Sequence, residues 1–219
     1  MSTVRPRVAI VDYDMGNRRS VEKALQHVGA DAKITRDHGE LREADAIVLP
    51  GVGAFPMGVA NLRRYGLDTV LAERAAEGTP LLGICLGMQL LFDSSTELGE
   101  TTPGLRLVSG EVRVVDAAGL RVPHIGWSEV RIERDSPLTG GLPAGGAPFY
   151  HVHSFVAHPR DPDDIVGTAE YGERFATIVG RGSVHGTQFH PEKSSRDGLA
   201  LLTGFVRLAQ STKPRTVYA

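Results

Sequence analysis

The hydrophobic positions in the first half of the chain alternate between short apolar runs and runs with helical spacing. The short runs have the length of buried strands and occupy residues 7–12, 32–35, 45–49 and 80–85. A helix follows the first run, with four apolar residues on one face before Gly29: Val21, Ala24, Leu25 and Val28. A second helical stretch covers residues 57–77, with interruptions at Gly58 and Gly66. This alternation predicts an α/β fold of three layers, with helices on both faces of a mostly parallel central sheet.

The second half of the chain changes to strand-like runs separated by turns rich in Gly, Pro and Asp. These runs occupy residues 111–115, 126–133, 149–157, 165–170, 176–179 and 184–189, and we expect some of them to pair antiparallel. An amphipathic helix around residues 199–208 and a polar tail from Ser211 close the sequence. Because no linker separates the halves, we expect one domain over residues 1–219, with a core at about 7–210 and a frayed tail.

Charge and cysteine content exclude several classes of function. The 219 residues carry a formal net charge of −2 with a pI near 6.4, so no basic field points to nucleic acid or a membrane surface. A single cysteine excludes an intrachain disulfide and a cysteine-rich zinc site, and it suits a reducing cytosol. No apolar run has the length of a signal-peptide core or a membrane span, so we expect a cytoplasmic protein.

The single cysteine, Cys85, occupies a position typical of a nucleophile. An apolar run leads into it and good helix formers follow, which predicts a corner between a strand and a helix. Gly83 and Gly87 flank it as in the G-x-S-x-G nucleophile elbow, where the chain doubles back and needs small neighbours. A corner of this kind puts the sulfur at a helix N-terminus, where the helix dipole favours a thiolate. On this segment alone, a small buried hydrophobic cysteine is the alternative.

A candidate base for this thiol lies far downstream. His190 and Glu192 are two residues apart at the end of a predicted strand, which would place both side chains on one face. A histidine takes the proton of a thiol and a carboxylate fixes the imidazole tautomer, so the three residues would form a Cys-His-Glu triad. In an open α/β sheet all three would lie at the carboxyl ends of strands, where ligands bind. A surface His-Pro-Glu turn is the alternative that the spacing leaves open.

A glycine-rich loop follows another predicted strand, at residues 50–53, which read Pro-Gly-Val-Gly. Glycines at a strand end let the backbone approach a substrate and offer N–H groups to a developing oxyanion. A plain turn is the alternative. The loop is not a dinucleotide-binding fingerprint, because the third glycine of that motif is missing.

Two of these segments together resemble the class I, triad-type glutamine amidotransferases: residues 83–89, Gly-Ile-Cys-Leu-Gly-Met-Gln, and residues 188–194, Gln-Phe-His-Pro-Glu-Lys-Ser. Three more segments narrow the resemblance to the glutaminase subunits of imidazole glycerol phosphate synthases of histidine biosynthesis: residues 50–55, 123–127 and 150–155. Residues 12–13 and 16–17 also match, so the resemblance covers nearly the whole chain.

The resemblance implies a site that hydrolyses the side-chain amide of L-glutamine. Cys85 would be the nucleophile, His190 the acid and base, and Glu192 the group that orients His190. The implied oxyanion hole consists of Val52, Gly53 and Leu86. The implied glutamine-binding residues are Gly51, Gln89, Glu97, Ser154 and Phe155. In this set Gln89 would hold the head group, Glu97 the α-ammonium group, and the backbone of residues 154–155 the α-carboxylate.

The resemblance also implies a heterodimer with a (β/α)₈-barrel cyclase subunit that receives the ammonia through its interior. Channelling has a chemical reason, because free ammonia is largely protonated at pH 7 and ammonium is not a nucleophile. The positions that match partner-facing ones are Asn17, Trp127, Tyr150 and Lys193. A tryptophan in the core and a solvated surface lysine are the alternatives for Trp127 and Lys193.

Three positions depart from the family pattern and leave the exact partner surface open. Asp14 stands where glycine is usual, Ser128 replaces an asparagine, and His151 replaces an aromatic residue. His151 and His153 would share one face of a strand, but zinc needs a further ligand that nothing in the sequence places nearby. We therefore expect neither a metal nor another cofactor.

Two other functions stay open at this point. A paralogous glutaminase would supply ammonia to a different synthase, such as one for surface sugars. A cysteine-elbow peptidase or stress protein belongs to another class. Such proteins generally place the histidine directly after the nucleophile or use an upstream acid, whereas Leu86 follows Cys85 here.

Overall fold

A computed structural model of the protein describes residues 5–211. The strands in this range are β1 (Arg7–Val11), β2 (Asp31–Thr35), β3 (Ala46–Gly51), β4 (Leu81–Cys85), β5 (Ser94–Ser95), β6 (Thr102–Pro103), β7 (Gly110–Val114), β8 (His124–Ile132), β9 (Gly146–His153), β10 (Phe155–Pro159), β11 (Ile165–Tyr171), β12 (Glu173–Arg181) and β13 (Val184–Thr187). The α-helices are α1 (Arg18–His27), α2 (His38–Glu43), α3 (Phe55–Arg64), α4 (Leu67–Ala76), α5 (Leu86–Leu90) and α6 (Ser195–Ser211). Short 3₁₀ turns span Glu97–Gly99, Pro162–Asp164 and Pro191–Lys193. The predicted frayed tail lies outside the described residues except for Ser211, which ends α6.

The strands form one continuous hydrogen-bonded sheet in the order β2-β1-β3-β4-β13-β12-β10-β7-β5-β6. The first five strands of this order run parallel, and β12, β10 and β7 continue the sheet antiparallel. A branch of antiparallel strands, β11, β8 and β9, leaves the sheet at β12. The predicted α/β sheet with antiparallel strands in the second half is confirmed.

Helices cover both faces of the parallel strands, because successive side chains of a strand point to opposite faces. In β1, Val8 and Ile10 join one core with the buried residues of α1 and α6. Ala9 and Val11 join a second core with the buried residues of α2, α3 and α4. The central strands β3 and β4 are buried along their whole length, as expected of parallel strands between two layers of helices.

Several elements differ from the prediction for physical reasons. The predicted helical stretch over residues 57–77 is two helices, because Gly66 adopts a left-handed conformation with φ of 64° between them. Helix α2 was not predicted, although Asp37 caps it by accepting a hydrogen bond from the Glu40 N–H at 2.9 Å. The predicted strand over residues 149–157 is two strands, because the chain changes partners at Ser154. Before that residue β9 pairs with β8, and after it β10 pairs with β7 and β12.

The carboxyl ends of three parallel strands meet at one edge of the sheet. Gly51 at the end of β3 lies opposite Cys85 at the end of β4, and Thr187 at the end of β13 lies opposite Ile84. The glycine-rich loop, the cysteine and the histidine segment therefore leave the sheet side by side. None of the helices within residues 5–211 combines the length and the apolar character needed to cross a membrane.

Candidate active site

Cys85 lies at the corner where β4 turns into α5. Its backbone has φ of 54° and ψ of −111°, a conformation that is rare for a residue with a side chain and is typical of functional corners. Close packing explains the flanking glycines. A Cβ on Gly83 would lie 2.6 Å from the carbonyl oxygen of Gly87, and a Cβ on Gly87 would lie 1.7 Å from that of Leu49. The corner thus depends on two positions without side chains.

His190 and Glu192 form a buried pair next to this corner. The Nδ1 atom of His190 lies 2.9 Å from Oε1 of Glu192, and the exposed fractions of the two side chains are 2% and 0%. The predicted reason for their proximity, alternation along a strand, is wrong, because β13 already ends at Thr187. Instead, the 3₁₀ turn Pro191–Lys193 folds the carboxylate back onto the imidazole.

Backbone contacts hold the histidine segment in place. The His190 N–H donates a hydrogen bond to the carbonyl of Tyr150 at 3.0 Å. The Ser194 hydroxyl donates to the carbonyl of His190 at 2.7 Å and accepts from the Tyr150 N–H at 3.0 Å. Strand β9 and the histidine segment are therefore joined on both sides of His190.

The environment of His190 favours its protonated form. Burial lowers the pKa of His190, but the nearby Cys85 sulfur and Glu192 carboxylate outweigh that effect and raise the pKa to about 9. The Nε2 atom has no partner in good hydrogen-bond geometry within the described part of the chain, although the Cys85 sulfur is close enough to raise the pKa of His190. At pH 7 His190 therefore favours the imidazolium form, which can give a proton to a leaving group.

A pocket of about 290 Å³ opens beside the sulfur of Cys85. Eight of its lining residues are assigned to the nucleophile position, the oxyanion hole or glutamine binding, namely Cys85, Val52, Gly53, Leu86, Gln89, Glu97, Ser154 and Phe155. Gly51 is not among the residues that line this pocket, and its implied role in glutamine binding stays a prediction. It is buried beneath the corner, where a Cβ would lie 2.3 Å from the Tyr13 hydroxyl and 2.9 Å from the Gly87 nitrogen.

Two polar side chains of the pocket are held by defined contacts. The Gln89 amide nitrogen donates to the carbonyl of Phe155 and to Oε1 of Gln188, at 3.0 Å in each case. The Glu97 carboxylate accepts a hydrogen bond from the Phe55 N–H at 2.7 Å, at the start of α3. Both side chains are thus positioned before a ligand enters.

Gln188 is a residue of this site to which the sequence interpretation assigned no role. Its side chain is fully buried, and its amide nitrogen lies 3.8 Å from the sulfur of Cys85. The Val152 carbonyl oxygen lies 3.9 Å from the same sulfur. The available signal was the place of Gln188 at the start of the segment that contains His190.

A chain of hydrogen bonds leads from strand β8 to the pocket, and the acceptor at its end fixes every direction. The carbonyl of Phe155 can only accept, so His153 donates to it from Nδ1 at 3.1 Å. His153 Nε2 then accepts from Nδ1 of His124 at 3.2 Å, and His124 Nε2 accepts from the Ser128 hydroxyl at 2.9 Å. The Phe155 carbonyl oxygen also accepts a hydrogen bond from Gln89, which lines the pocket. The chain of hydrogen bonds therefore reaches the pocket at this one oxygen.

His151 belongs to the same buried cluster but points elsewhere. Its Nδ1 atom donates to the carbonyl of Phe149 at 3.0 Å, so Nε2 accepts from the Thr177 hydroxyl at 2.8 Å. Burial lowers the pKa of His151 to about 3 and that of His153 to about 2, so both rings are neutral at pH 7. No group of three or more His, Cys, Asp or Glu side chains within residues 5–211 is arranged to hold a metal ion.

The residues that match partner-facing positions belong to segments that contact the histidine segment or are part of it. Trp127 and Tyr150 are cross-strand neighbours of β8 and β9 with ring centroids 6.1 Å apart. Trp127 is 54% exposed, which is inconsistent with a position in the core, and the adjacent Ile125 is 59% exposed. Lys193 is exposed directly after the triad, and Asn17 precedes α1, which contacts the turn Pro191–Lys193.

The departure at Asp14 has a structural explanation. Asp14 has φ of 63°, the left-handed region in which glycine is the usual residue. Its carboxylate accepts hydrogen bonds from the hydroxyl of Tyr65 and from the guanidinium of Arg36, and these contacts lower the pKa of Asp14. Contacts to two neighbours thus accompany the strained backbone.

A larger pocket of about 500 Å³ lies elsewhere, between β10, β11 and β12. Its lining includes the ion pair of Glu133 and Arg174 but none of the residues assigned to the active site. Pocket size alone therefore does not single out the pocket beside Cys85 in this molecule.

Comparisons with known proteins place this chain among related sequences. The family model for glutamine amidotransferase class-I matches residues 9–207. A protein of Moorella thermoacetica named imidazole glycerol phosphate synthase subunit HisH is 49% identical over 207 residues, which cover 94% of this chain and 97% of that protein. Its namesake from Listeria innocua is 44% identical over 207 residues, covering 94% of this chain and 98% of that protein.

Solved structures of low sequence identity share the fold of this chain. The structure of PurLQS from Thermotoga maritima has a TM-score of 0.74 at 22% identity and covers 94% of this chain and 99% of that chain. A crystal structure of a glutamine amidotransferase has a TM-score of 0.72 at 24% identity, covering 92% of this chain and 98% of that chain. The match of the family model over most of its length means that this chain belongs to the class-I glutamine amidotransferase family.

Proposed function

We propose that this chain is the glutaminase subunit of an imidazole glycerol phosphate synthase. In this role it hydrolyses L-glutamine to glutamate and ammonia and passes the ammonia to a (β/α)₈-barrel cyclase subunit. The observation that carries the proposal is the arrangement of Cys85 at a strained corner, beside the buried pair of His190 and Glu192, and in the wall of a pocket that also contains Gln89. The sheet is continuous from β2 to β6, so we treat the chain as one glutaminase domain.

The first half of the reaction breaks the amide bond. The thiolate of Cys85 attacks the side-chain amide carbon of glutamine and forms a tetrahedral intermediate with a negatively charged oxygen. N–H groups of the loop at Val52 and Gly53 and of Leu86 are the proposed donors to that oxygen. His190 gives the proton that it holds at Nε2 to the leaving nitrogen, and ammonia departs from a glutamyl thioester.

The second half of the reaction restores the enzyme. With its Nε2 atom unprotonated, His190 takes a proton from a water molecule that attacks the thioester carbon. Collapse of the second intermediate breaks the carbon–sulfur bond, releases glutamate and regenerates the thiolate beside an imidazolium. Glu192 keeps the proton at Nδ1 throughout, because its carboxylate accepts from that nitrogen at 2.9 Å.

The pocket provides complementary groups for both ends of the amino acid. We assign the α-ammonium group to the carboxylate of Glu97 and the α-carboxylate to the backbone of Ser154 and Phe155, all of which line the pocket. The carbonyl oxygen of Gln89 faces the head group of the bound glutamine, because the amide nitrogen of Gln89 already donates to Phe155 and Gln188. Selectivity for glutamine would then arise from charge at one end and hydrogen bonds at the other.

The proposed partner surface lies on β8 and β9, next to the triad. Two large apolar side chains, Ile125 and Trp127, are more than half exposed there, and large exposed apolar residues are typical of protein interfaces. The relatives from Moorella thermoacetica and Listeria innocua are named as subunits of a synthase, which supports an obligatory partner. An ammonia-consuming enzyme docked at this surface would receive ammonia before it becomes protonated.

The test is a glutaminase assay of the chain alone and with the barrel cyclase encoded in the same genome. We expect weak turnover alone and strong stimulation by the cyclase with its nucleotide ligand bound. Cys85→Ala should abolish glutamine-dependent synthesis while the same complex still uses added ammonium salts. Strong turnover without any partner, or stimulation only by a synthase of another pathway, would contradict the proposal. Hydrolysis of peptides without hydrolysis of glutamine would support a peptidase instead.

A further inference from the structure

We propose that Gln188 is a further catalytic residue, which holds the Cys85 thiolate through a hydrogen bond from its side-chain amide. The inference deepens the proposed function, because it concerns the nucleophile of that reaction. It does not use glutamine or the partner, since the contact exists in the chain alone. Gln188 is fully buried, and its Nε2 atom lies 3.8 Å from the sulfur, within the range of hydrogen bonds to this large atom.

The orientation of the Gln188 amide follows from its neighbours. Phe155 offers a carbonyl, which only accepts, so the Gln89 group that faces it is the amide nitrogen. The same nitrogen lies 3.0 Å from the Gln188 side chain and donates to it, so the Gln188 atom there is the carbonyl oxygen. The amide nitrogen of Gln188 is left on the other side, toward Cys85. A reversed amide would place two donors against each other.

The backbone of Gln188 is fixed as well. Its N–H donates to the carbonyl of Thr177 at 2.8 Å, one residue beyond the end of β13. A side chain that is anchored at the backbone and at the amide oxygen loses little further freedom when its nitrogen engages the sulfur. The donor is therefore preorganised, which is the property that makes polar groups effective in active sites.

The contacts of the sulfur differ between its two protonation states. As a thiol, Cys85 can donate to the Val152 carbonyl oxygen, which lies 3.9 Å away. As a thiolate it cannot donate, and that carbonyl oxygen then presents a negative partial charge to it. The amide N–H of Gln188 and the imidazolium of His190 are the groups that offset this charge. Gln188 thus favours the state of Cys85 that attacks the substrate, in addition to the effect of His190.

The experiment measures the reactivity of the thiol without glutamine. Cys85 is the only cysteine, so the rate of alkylation by iodoacetamide as a function of pH reports on this one group. Gln188→Met keeps the length of the side chain without a donor, and Gln188→Glu keeps the acceptor for Gln89 but places a carboxylate beside the sulfur. Thr187→Val is the matched control, because Thr187 is fully buried next to Gln188 and its hydroxyl donates only to the carbonyl of Phe189.

We expect the pH midpoint of alkylation to rise by about one unit in Gln188→Met, the equivalent of a roughly tenfold change in the thiol–thiolate equilibrium. Gln188→Glu should shift it further, because a negative charge replaces the donor, and Thr187→Val should leave it unchanged. Equal midpoints in all four proteins would overturn the inference, whatever the effect of these variants on stability. The result is independent of whether the chain hydrolyses glutamine, so the inference and the proposed function can fail separately.

A measurement on the unaltered protein covers the case in which the Gln188 variants do not fold. The side-chain amide protons of Gln188, observed by ¹⁵N-resolved NMR, should shift with pH at the same midpoint as alkylation of Cys85. Cys85→Ala should abolish this transition. An amide signal that does not respond to the thiol would overturn the inference.

Discussion

The α-carbon of Gly87 packs directly against the carbonyl oxygen of Leu49, one strand away from the corner that carries Cys85. A Cβ at position 87 would lie 1.7 Å from that oxygen, far inside any tolerated contact. Because Leu49 belongs to β3, which is buried along its length, neither backbone has room to move. The packing of a neighbouring strand thereby fixes where the nucleophile stands.

Gly87→Ala should therefore destabilise the protein strongly. We expect a loss of about 3 kcal/mol in the free energy of unfolding, the upper end of the usual cost of overpacking, because the new methyl group must displace backbone. Gly140→Ala is the control, since a Cβ at Gly140 meets nothing within 4 Å, and its effect should stay within about 0.5 kcal/mol. Chemical denaturation measures both values, and equal stability of the two variants would contradict the close packing at the corner.

Glu192→Gln should impair catalysis for two reasons. It should lower the pKa of His190, and it should weaken the preference of the imidazole for a proton on Nδ1. Burial lowers that pKa, and the contacts with Cys85 and Glu192 raise it to about 9, so loss of the carboxylate charge shifts the balance toward the neutral ring. We expect glutaminase kcat to fall by about 10²–10⁴-fold, the usual range for general acid–base catalysis. The alkaline limb of the pH profile of kcat/KM should also move to lower pH. An unchanged limb would mean that another group controls it.

The buried histidines predict a loss of stability in acid. His151 has its pKa lowered to about 3, below the unfolded value of 6.5, so its neutral form stabilises the folded state. That contribution is complete above pH 6.5 and is lost as the pH falls from 6.5 toward 3. For this one group the loss between pH 8 and pH 5 is about 2 kcal/mol. His190 has the opposite sign, because its pKa is raised, and its contribution is lost between pH 6.5 and 9.

The acid effect can be isolated with a pair of variants. His151→Phe alone leaves the buried Thr177 hydroxyl without its partner, so Thr177→Val is added to remove that defect. The double variant should lose about 2 kcal/mol less than the parent between pH 8 and pH 5. Thr177→Val alone serves as the control and should keep the acid sensitivity of the parent. Denaturation curves at both pH values decide between these outcomes.

Trp127→Ala should separate partner binding from folding. The side chain is 54% exposed, so its truncation removes little buried surface from the chain itself. If Trp127 contacts the barrel subunit, the affinity for that subunit should fall by about tenfold or more, as for other interfacial tryptophans. Lys33→Ala, on the edge strand β2 far from the triad, is the control. Isothermal titration calorimetry measures both affinities, and equal values would place the interface elsewhere.

Local patterns in the sequence were sufficient for the parallel half of the fold. Fully apolar strands such as β3 and β4 and the face of α1 at Val21, Ala24 and Leu25 are determined by burial, which periodicity reports directly. The corner at Cys85 was also predictable, because a tight turn of the chain leaves no room for side chains at the flanking positions, and both are glycine. Helix α2 was missed since it is short, six residues, and has only Leu41 buried.

Other features of the site depend on contacts that the spacing of residues does not report. The pairing of His190 with Glu192 was expected for a wrong reason, since a 3₁₀ turn rather than a strand produces it. Gly51 belongs to the same motif as Val52 and Gly53, but only the packing of Tyr13 against it shows that it lies outside the pocket. Gln188 meets Cys85 because β13 pairs with β4, a neighbour relation that no local pattern encodes.

The hydrogen-bond chain from Ser128 to Phe155 restricts which amino acids can be exchanged at position 128. Because each direction is fixed from the Phe155 carbonyl outward, His124 presents an acceptor to residue 128, which must donate. Serine meets this requirement, and so does the asparagine of the family pattern, despite its different size and shape. An ionised aspartate, of nearly the same shape as asparagine, does not. Substitution at position 128 is thus limited by whether the side chain can donate a hydrogen bond, and not by its volume.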